Sequence, residues 1–346
     1  FIVLKYIRFA GYVMILAVGF FIFVWNNMKN PQEMTADFVR AVHCFFILIT
    51  IFCLLCRPER AEYRYSGFTT NPSIFALYLA TCWAVALGEI DSRIQERENL
   101  RKIFPYILEA CLIAVLCWKS QSAGPFLCMA GIAFIWLFKM VRRTRNKPIR
   151  KNLLAVLVCA VVLIAPVNAG LTWGLSNIPK AMGTELILED ETVSLKLDTA
   201  PVALAAEENG VHTSRLVQKF SNSTLSQILS GRDYYYRTYL RDMNLFGHRV
   251  SPIMWGHYRH PHNAILGVAH RYGVFVTVPY LIMLITVIVG TFRYGRKRGK
   301  YVAVPFYICL STIVMSMSDN VEQPFVWLPW IGLYLMMGCL FSDRQQ

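Results

Sequence analysis

The chain has 346 residues, of which 55% are hydrophobic and only 16% charged, against roughly 25% charge in a typical soluble domain. This excludes an ordinary soluble globule and points to a polytopic membrane protein. The formal net charge of +14 does not mark a nucleic-acid binder, because Lys and Arg gather in short loops between apolar runs, the pattern that sets membrane topology.

A bilayer core about 30 Å thick is crossed by about 20 mostly apolar helical residues. On that basis the sequence predicts an all-α bundle of nine spans, at 8–25, 38–56, 71–90, 103–118, 125–141, 153–174, 273–292, 301–318 and 324–342. A chain that opens at Phe1 rather than Met is expected to lack N-terminal residues or whole spans. The ten cysteines fall in or beside apolar runs and read as core packing rather than disulfides or metal ligands. The chain then divides into spans over 1–174, a long polar interruption over 175–262 and further spans over 263–346.

Two connectors are strongly basic, one with Arg142, Arg143, Arg145, Lys147, Arg150 and Lys151, the other with Arg293, Arg296, Lys297, Arg298 and Lys300. Both are expected on the cytoplasmic face. One span follows the first and one precedes the second, so the long interruption, with 119–124 and 57–70, is expected to be extracytoplasmic.

That interruption holds most of the histidines: His212, His248, His257, His260 and His262, with His270 just beyond it. Its first half is acidic, through Glu185, Glu189, Asp190, Glu191, Asp198, Glu207 and Glu208, and reads as an exposed lobe, a lid or a tolerated surface insertion. Its second half is basic, through Arg215, Lys219, Arg232, Arg237, Arg241, Arg249 and Arg259. Arginine forks bind phosphate oxygens through paired, charge-assisted hydrogen bonds, so this half reads as a phosphate site or as a solvated basic face. Asn177-Ile178-Pro179 and Ala200-Pro201 are expected to break regular structure. Ser223 to Leu245 is predicted to form a helix-turn-helix segment on the membrane surface, with Tyr234, Tyr235, Tyr236 and Tyr239 at headgroup depth.

Four local motifs stand out. His260-Pro261-His262-Asn263 followed by His270-Arg271-Tyr272-Gly273 puts proton-transfer groups where the loop meets the seventh span. His260 and His262 lack the helical spacing and third ligand of a zinc site. Ser230-Gly231-Arg232-Asp233 precedes Arg237 and Arg241, which share a helix face near Arg232; Arg232 either joins them at a diphosphate or pairs with Asp233 or a helix end. Ser66-Gly67-Phe68-Thr69-Thr70-Asn71-Pro72 leads into the third span, and Ser120-Gln121-Ser122-Ala123-Gly124-Pro125 joins the fourth and fifth.

In this order, from about Tyr65 to the C-terminus, these pieces resemble the O-antigen ligase and polymerase superfamily of bacterial membrane glycosyltransferases. Gly67 to Pro72 matches the family's Gly-Phe-x-x-Asn-Pro lead-in to a helix. Ser120 to Gly124 matches its short Ser-rich turn, Gly231-Arg232 its Gly-Arg motif, and His262-Asn263 with Gly273 the close of its loop. The family usually has Arg in the short turn, where this chain has Ala123.

The resemblance implies an enzyme that moves a glycan from an undecaprenyl-diphosphate carrier to an acceptor hydroxyl at the outer face of the bacterial cytoplasmic membrane. Its expected partners are that donor, a glycan or lipid-glycan acceptor and membrane lipids, with no nucleic acid, metal or other cofactor. Arg232 becomes the main diphosphate contact, supported by Arg237 and Arg241. Arg64, Lys119 or the loop arginines take the place of the missing turn arginine, and His262, beside Asn263, acts on the acceptor hydroxyl or holds it in line for attack on the anomeric carbon. Ligase and polymerase chemistry both remain open. So do a lipid-linked-sugar flippase, for which Glu89 and Glu109 are the candidate residues and both fall near span ends, and a non-catalytic envelope-assembly partner. In a cysteine-free background, a single cysteine at Gly210 is expected to react with an impermeant thiol reagent in intact cells; labelling only after permeabilisation would reverse this topology.

Overall fold

Hydrocarbon offers no hydrogen-bond partner to the backbone, so a segment that crosses it folds as a helix that bonds its own N–H and C=O groups. A computed structural model of the chain describes residues 30–60, 64–143, 147–186, 232–248, 250–254, 257–258, 261–295, 302–318 and 328–340. Its helices are α1 (Pro31–Cys56), α2 (Pro72–Gln95), α3 (Leu100–Ser120), α4 (Ala123–Arg143), α5 (Lys147–Met182), α6 (Arg232–Arg241), α7 (Ala264–Tyr272), α8 (Val274–Tyr294), α9 (Ala303–Ser318) and α10 (Leu328–Leu340). One two-residue antiparallel pair, β1 (Ile253–Met254) with β2 (His257–Tyr258), is the exception to the helical pattern among the described residues.

Five described helices, α1, α2, α4, α5 and α8, are long and apolar enough to cross a membrane, whereas α9 and α10 are apolar but shorter. These five match the predicted spans at 38–56, 71–90, 125–141, 153–174 and 273–292. The predicted span at 8–25, and most of the polar interruption, lie outside the described residues. The fourth predicted span is present as α3, outside the five, and carries Arg101, Lys102, Glu109 and Lys119.

Helix α2 is the centre of the bundle, packed against α3, α4 and α9. Phe75, Ala76, Leu79, Ala80, Cys82, Ala84, Val85 and Ala86 are fully buried around its whole circumference, as expected of a helix that is apolar on every side. It starts where Asn71 accepts the Ser73 N–H at 2.8 Å and Pro72 fills the first position, a side-chain cap followed by a residue with no N–H to satisfy. At its far end Asp91 is fully buried, accepting from the Tyr307 hydroxyl at 2.9 Å with Lys139 Nζ at 3.7 Å. Arg93 bridges Glu89 at 3.1 Å and Glu98 at 2.7 Å. Buried charges of this kind persist only when paired.

Two expectations are corrected. Glu109 is not near a span end. It lies halfway along α3, where a carboxylate oxygen stands 2.7 Å from Nδ1 of His43, itself halfway along α1. The polar interruption also does not begin at Leu175, because α5 runs through Asn177-Ile178-Pro179 to Met182. Pro179 has no N–H to give to the Leu175 carbonyl one turn back, and that carbonyl is satisfied by the Glu59 N–H at 3.1 Å. A contact from a distant segment thus removes the cost that would have ended the helix.

Candidate functional site

The motif residues collect at one end of the bundle in two groups. The first surrounds Arg57, 4% exposed at the end of α1. Its guanidinium donates to the Gly67 carbonyl at 2.5 Å, the Leu186 carbonyl at 2.6 Å and the Ser66 hydroxyl at 2.9 Å. One side chain therefore holds the exit of α1, the lead-in to α2 and the residues after α5 together. Gly67 lies at φ +56°, and a Cβ there would meet the Phe75 ring at 2.3 Å, so this position of the motif is a packing requirement.

Arg64 and Lys119, the two substitutes for the missing turn arginine, belong to this group. Arg64 donates Nε to the Ser120 carbonyl at 3.0 Å and Nη2 to the Ser73 hydroxyl at 3.5 Å. Lys119 Nζ donates to both carboxylate oxygens of Glu59, at 2.7 and 2.6 Å, and to Thr172 Oγ1 at 2.8 Å. Both cations are engaged in joining the short turn to its neighbours. Ala123 is the first residue of α4, and Ser122 hydrogen-bonds Ser73 at 3.3 Å.

The second group is built on α6, α7 and the turn between them. α6 opens at Arg232, and Arg237 and Arg241 are exposed one turn apart on a single face of it. No described residue hydrogen-bonds or ion-pairs with either. The opposite side is anchored by Tyr239, which is 1% exposed and packs edge-on against the His270 ring at 4.7 Å. The expected surface position of the tyrosines thus divides: Tyr234 is exposed, and Tyr239 is core.

His262 stands immediately before the cap of α7. Its backbone is left-handed, φ +49°, a conformation that costs a residue with a Cβ about 1–2 kcal/mol and that collects at functional sites. Tyr235 meets its ring edge-on at 6.0 Å, and the Tyr236 hydroxyl reaches its carbonyl at 3.4 Å. Asn263 caps α7 by accepting the Leu266 N–H at 3.0 Å and donates to the Met317 carbonyl at 3.3 Å. The residue pair thereby ties the loop to the end of α9.

Beyond α7 the chain turns at Gly273 directly into α8. Gly273 lies at φ +84°, ψ 172°, a region open essentially to glycine alone. A Cβ there would stand 2.2 Å from the Leu245 carbonyl oxygen. The 242–248 turn is laid across this corner, with the His248 N–H donating to the His270 carbonyl at 2.7 Å and the Val274 N–H to the Asn244 carbonyl at 3.1 Å.

This turn creates a cluster that the sequence motifs do not display. Asp242, His248 and His270 present one carboxylate oxygen and two ring nitrogens within 4.8 Å of one another. His270 is 3% exposed, with Nε2 at 2.9 Å from Asp242 Oδ2, and the His248 ring stacks on it at 4.4 Å. Its signal in sequence was Asn244 and Gly247, two turn formers that bring Asp242 and His248 back toward one helix.

No protein-family model, curated protein or solved structure matches this chain.

The chemistry available is thus an exposed arginine pair, a histidine fixed in strained backbone beside aromatic rings, and a His-Asp-His cluster that runs from buried His270 to exposed Asp242 on the same helix unit. Gly273→Ala should lower thermal stability in detergent by about 1–3 kcal/mol. Gly131→Ala, where an added methyl meets nothing within 4 Å, should be neutral or stabilising. Equal melting temperatures for the Gly273 variant and wild type would show that the corner is not built as described.

Proposed function

We propose that the protein is a membrane glycosyltransferase of the O-antigen ligase or polymerase type. It transfers a glycan from an undecaprenyl-diphosphate carrier to an acceptor hydroxyl at the outer face of the bacterial cytoplasmic membrane. The observation that supports this most is the union, on α6 and α7, of exposed arginines that have no partner among the described residues with a histidine held in left-handed backbone at the mouth of an apolar bundle. The order of the motifs from Gly67 to Gly273 supports it as well.

In this reading His262 accepts the proton of the acceptor hydroxyl as its oxygen attacks the anomeric carbon. The bond from that carbon to the diphosphate oxygen breaks, and the lipid diphosphate leaves with the electron pair. Negative charge grows on the leaving group, and preorganised guanidinium groups in a partly dry site stabilise it better than water does. Arg237 and Arg241 offer two exposed forks, and Arg232 begins the same helix. Asn263 fixes the reach of His262 by anchoring it to α7 and α9.

Transport of a lipid-linked sugar is the second reading, favoured by the His43–Glu109 pair. An ionisable pair halfway along two helices of a membrane bundle is costly and is a common mark of a transport path.

One set of assays on purified protein separates the two. With a lipid-linked donor and an acceptor, His262→Ala should cut transfer by about 10²–10⁴, the usual loss on removing a positioned base. His257→Ala and His260→Ala should cut it far less, and Glu109→Gln should leave it largely intact. An active His262→Ala would remove the proposed role. Translocation across vesicles, without transfer and abolished by Glu109→Gln, would establish the second reading instead.

A further inference from the structure

We infer that Asp242, His248 and His270 form a binding site for a first-row divalent metal ion of the zinc type, separate from the proposed transfer chemistry. A tetrahedral zinc ion about 2.0–2.1 Å from its nitrogen and oxygen ligands sets those ligands about 3.3 Å apart. The Asp242 Oδ2 atom lies 2.9 Å from His270 Nε2 and 3.9 Å from His248 Nε2, and the three atoms stay within 4.8 Å of one another. The separations bracket the required value, and because the two rings stack nearly parallel, the half-buried His248 ring turns out of the stack to bring its lone pair to the same ion as His270.

Three features make this a constructed site. His270 is locked in the core between Tyr239 and the His248 ring. His248 is delivered by a turn whose Gly247 and Gly273 both take positive φ and lie back to back, closer than any side chain would permit. The Asn244 amide, oriented by accepting the Phe246 N–H at 3.0 Å through Oδ1, places Nδ2 2.9 Å from His248 Nε2.

His248 Nε2 also lies 2.5 Å from the Asp242 backbone carbonyl oxygen and 3.9 Å from the Asp242 carboxylate. Two imidazoles beside a single carboxylate select zinc, cobalt or nickel over magnesium and calcium, which prefer all-oxygen ligand sets. Asp242 is half-exposed, so three protein ligands leave a further coordination position open to solvent, as in zinc sites that retain a water.

The test uses untagged, full-length protein purified in detergent, stripped with chelator and titrated with Co²⁺ at neutral pH, followed by Zn²⁺ competition. Wild type should take up one equivalent with the visible absorption of a four- or five-coordinate ion, and Zn²⁺ should displace it. His248→Gln and Asp242→Asn should each weaken binding by about 10-fold or more, while His43→Gln, in the bundle interior, should not. Melting curves of the metal-free variants separate loss of the ligand from loss of the fold. Absence of the absorption in wild type, or equal Co²⁺ affinity in wild type and His248→Gln, would overturn the site. The outcome is independent of the transfer assay, since it reads metal binding alone.

Discussion

The guanidinium of Arg57 is the interaction on which this end of the bundle depends. A membrane helix that stops near the surface leaves carbonyl groups without partners, and here three segments stop within reach of one another. Arg57 offers five donors in a fixed plane and spends them on the Gly67 and Leu186 carbonyls and the Ser66 hydroxyl. The Tyr65 hydroxyl in turn donates to the Arg57 carbonyl at 3.3 Å. Because the group is buried, its loss would leave several acceptors dry at once, each at about 1–3 kcal/mol. The lead-in to α2 can thus take the strained form that Gly67 permits, and α2, the most enclosed helix, starts in a fixed place.

From that fixed start the rest of the site follows. α9 packs along α2, and its last turn presents the Met317 carbonyl to both Asn263 and Tyr236. Those two contacts seat α6 and α7 on the bundle and give His262 its left-handed backbone. The cations divide by the same logic. Arg57, Arg64 and Lys119 are consumed in structure, whereas Arg237 and Arg241 lie exposed on a helix held by its other face and have no partner among the described residues. A basic residue near the mouth is therefore informative only when its donors are unspent.

The helical class was legible because runs of about 20 apolar residues have few other folds, and the Asn71-Pro72 start of α2 was legible because its capping is local. The misreadings share one cause. Pro179 reads as a breaker until Glu59, far away in sequence, supplies the missing N–H to Leu175. Glu109 was placed near a span end from the hydropathy of its own segment, and its partner His43 is on another helix. Arg64 and Lys119 read as free phosphate ligands, because Glu59 and the Ser120 carbonyl become their partners only in the fold. The Asp242–His248–His270 cluster depends on two glycine backbones meeting, which no spacing rule encodes. Local chemistry was readable, and the identity of distant partners was not.

The central claim is that the exposed arginine face of α6 receives a lipid diphosphate. Equilibrium binding of a polyprenyl diphosphate to the purified protein tests it most directly. The account predicts saturable binding that weakens with salt and falls about tenfold or more in Arg237→Gln/Arg241→Gln, since a charge-assisted hydrogen bond contributes about 1.5–3 kcal/mol. Arg293→Gln, which removes a charge from the last turn of α8 at the opposite end, should leave it unchanged. Equal affinity of the α6 double variant and wild type would contradict the account.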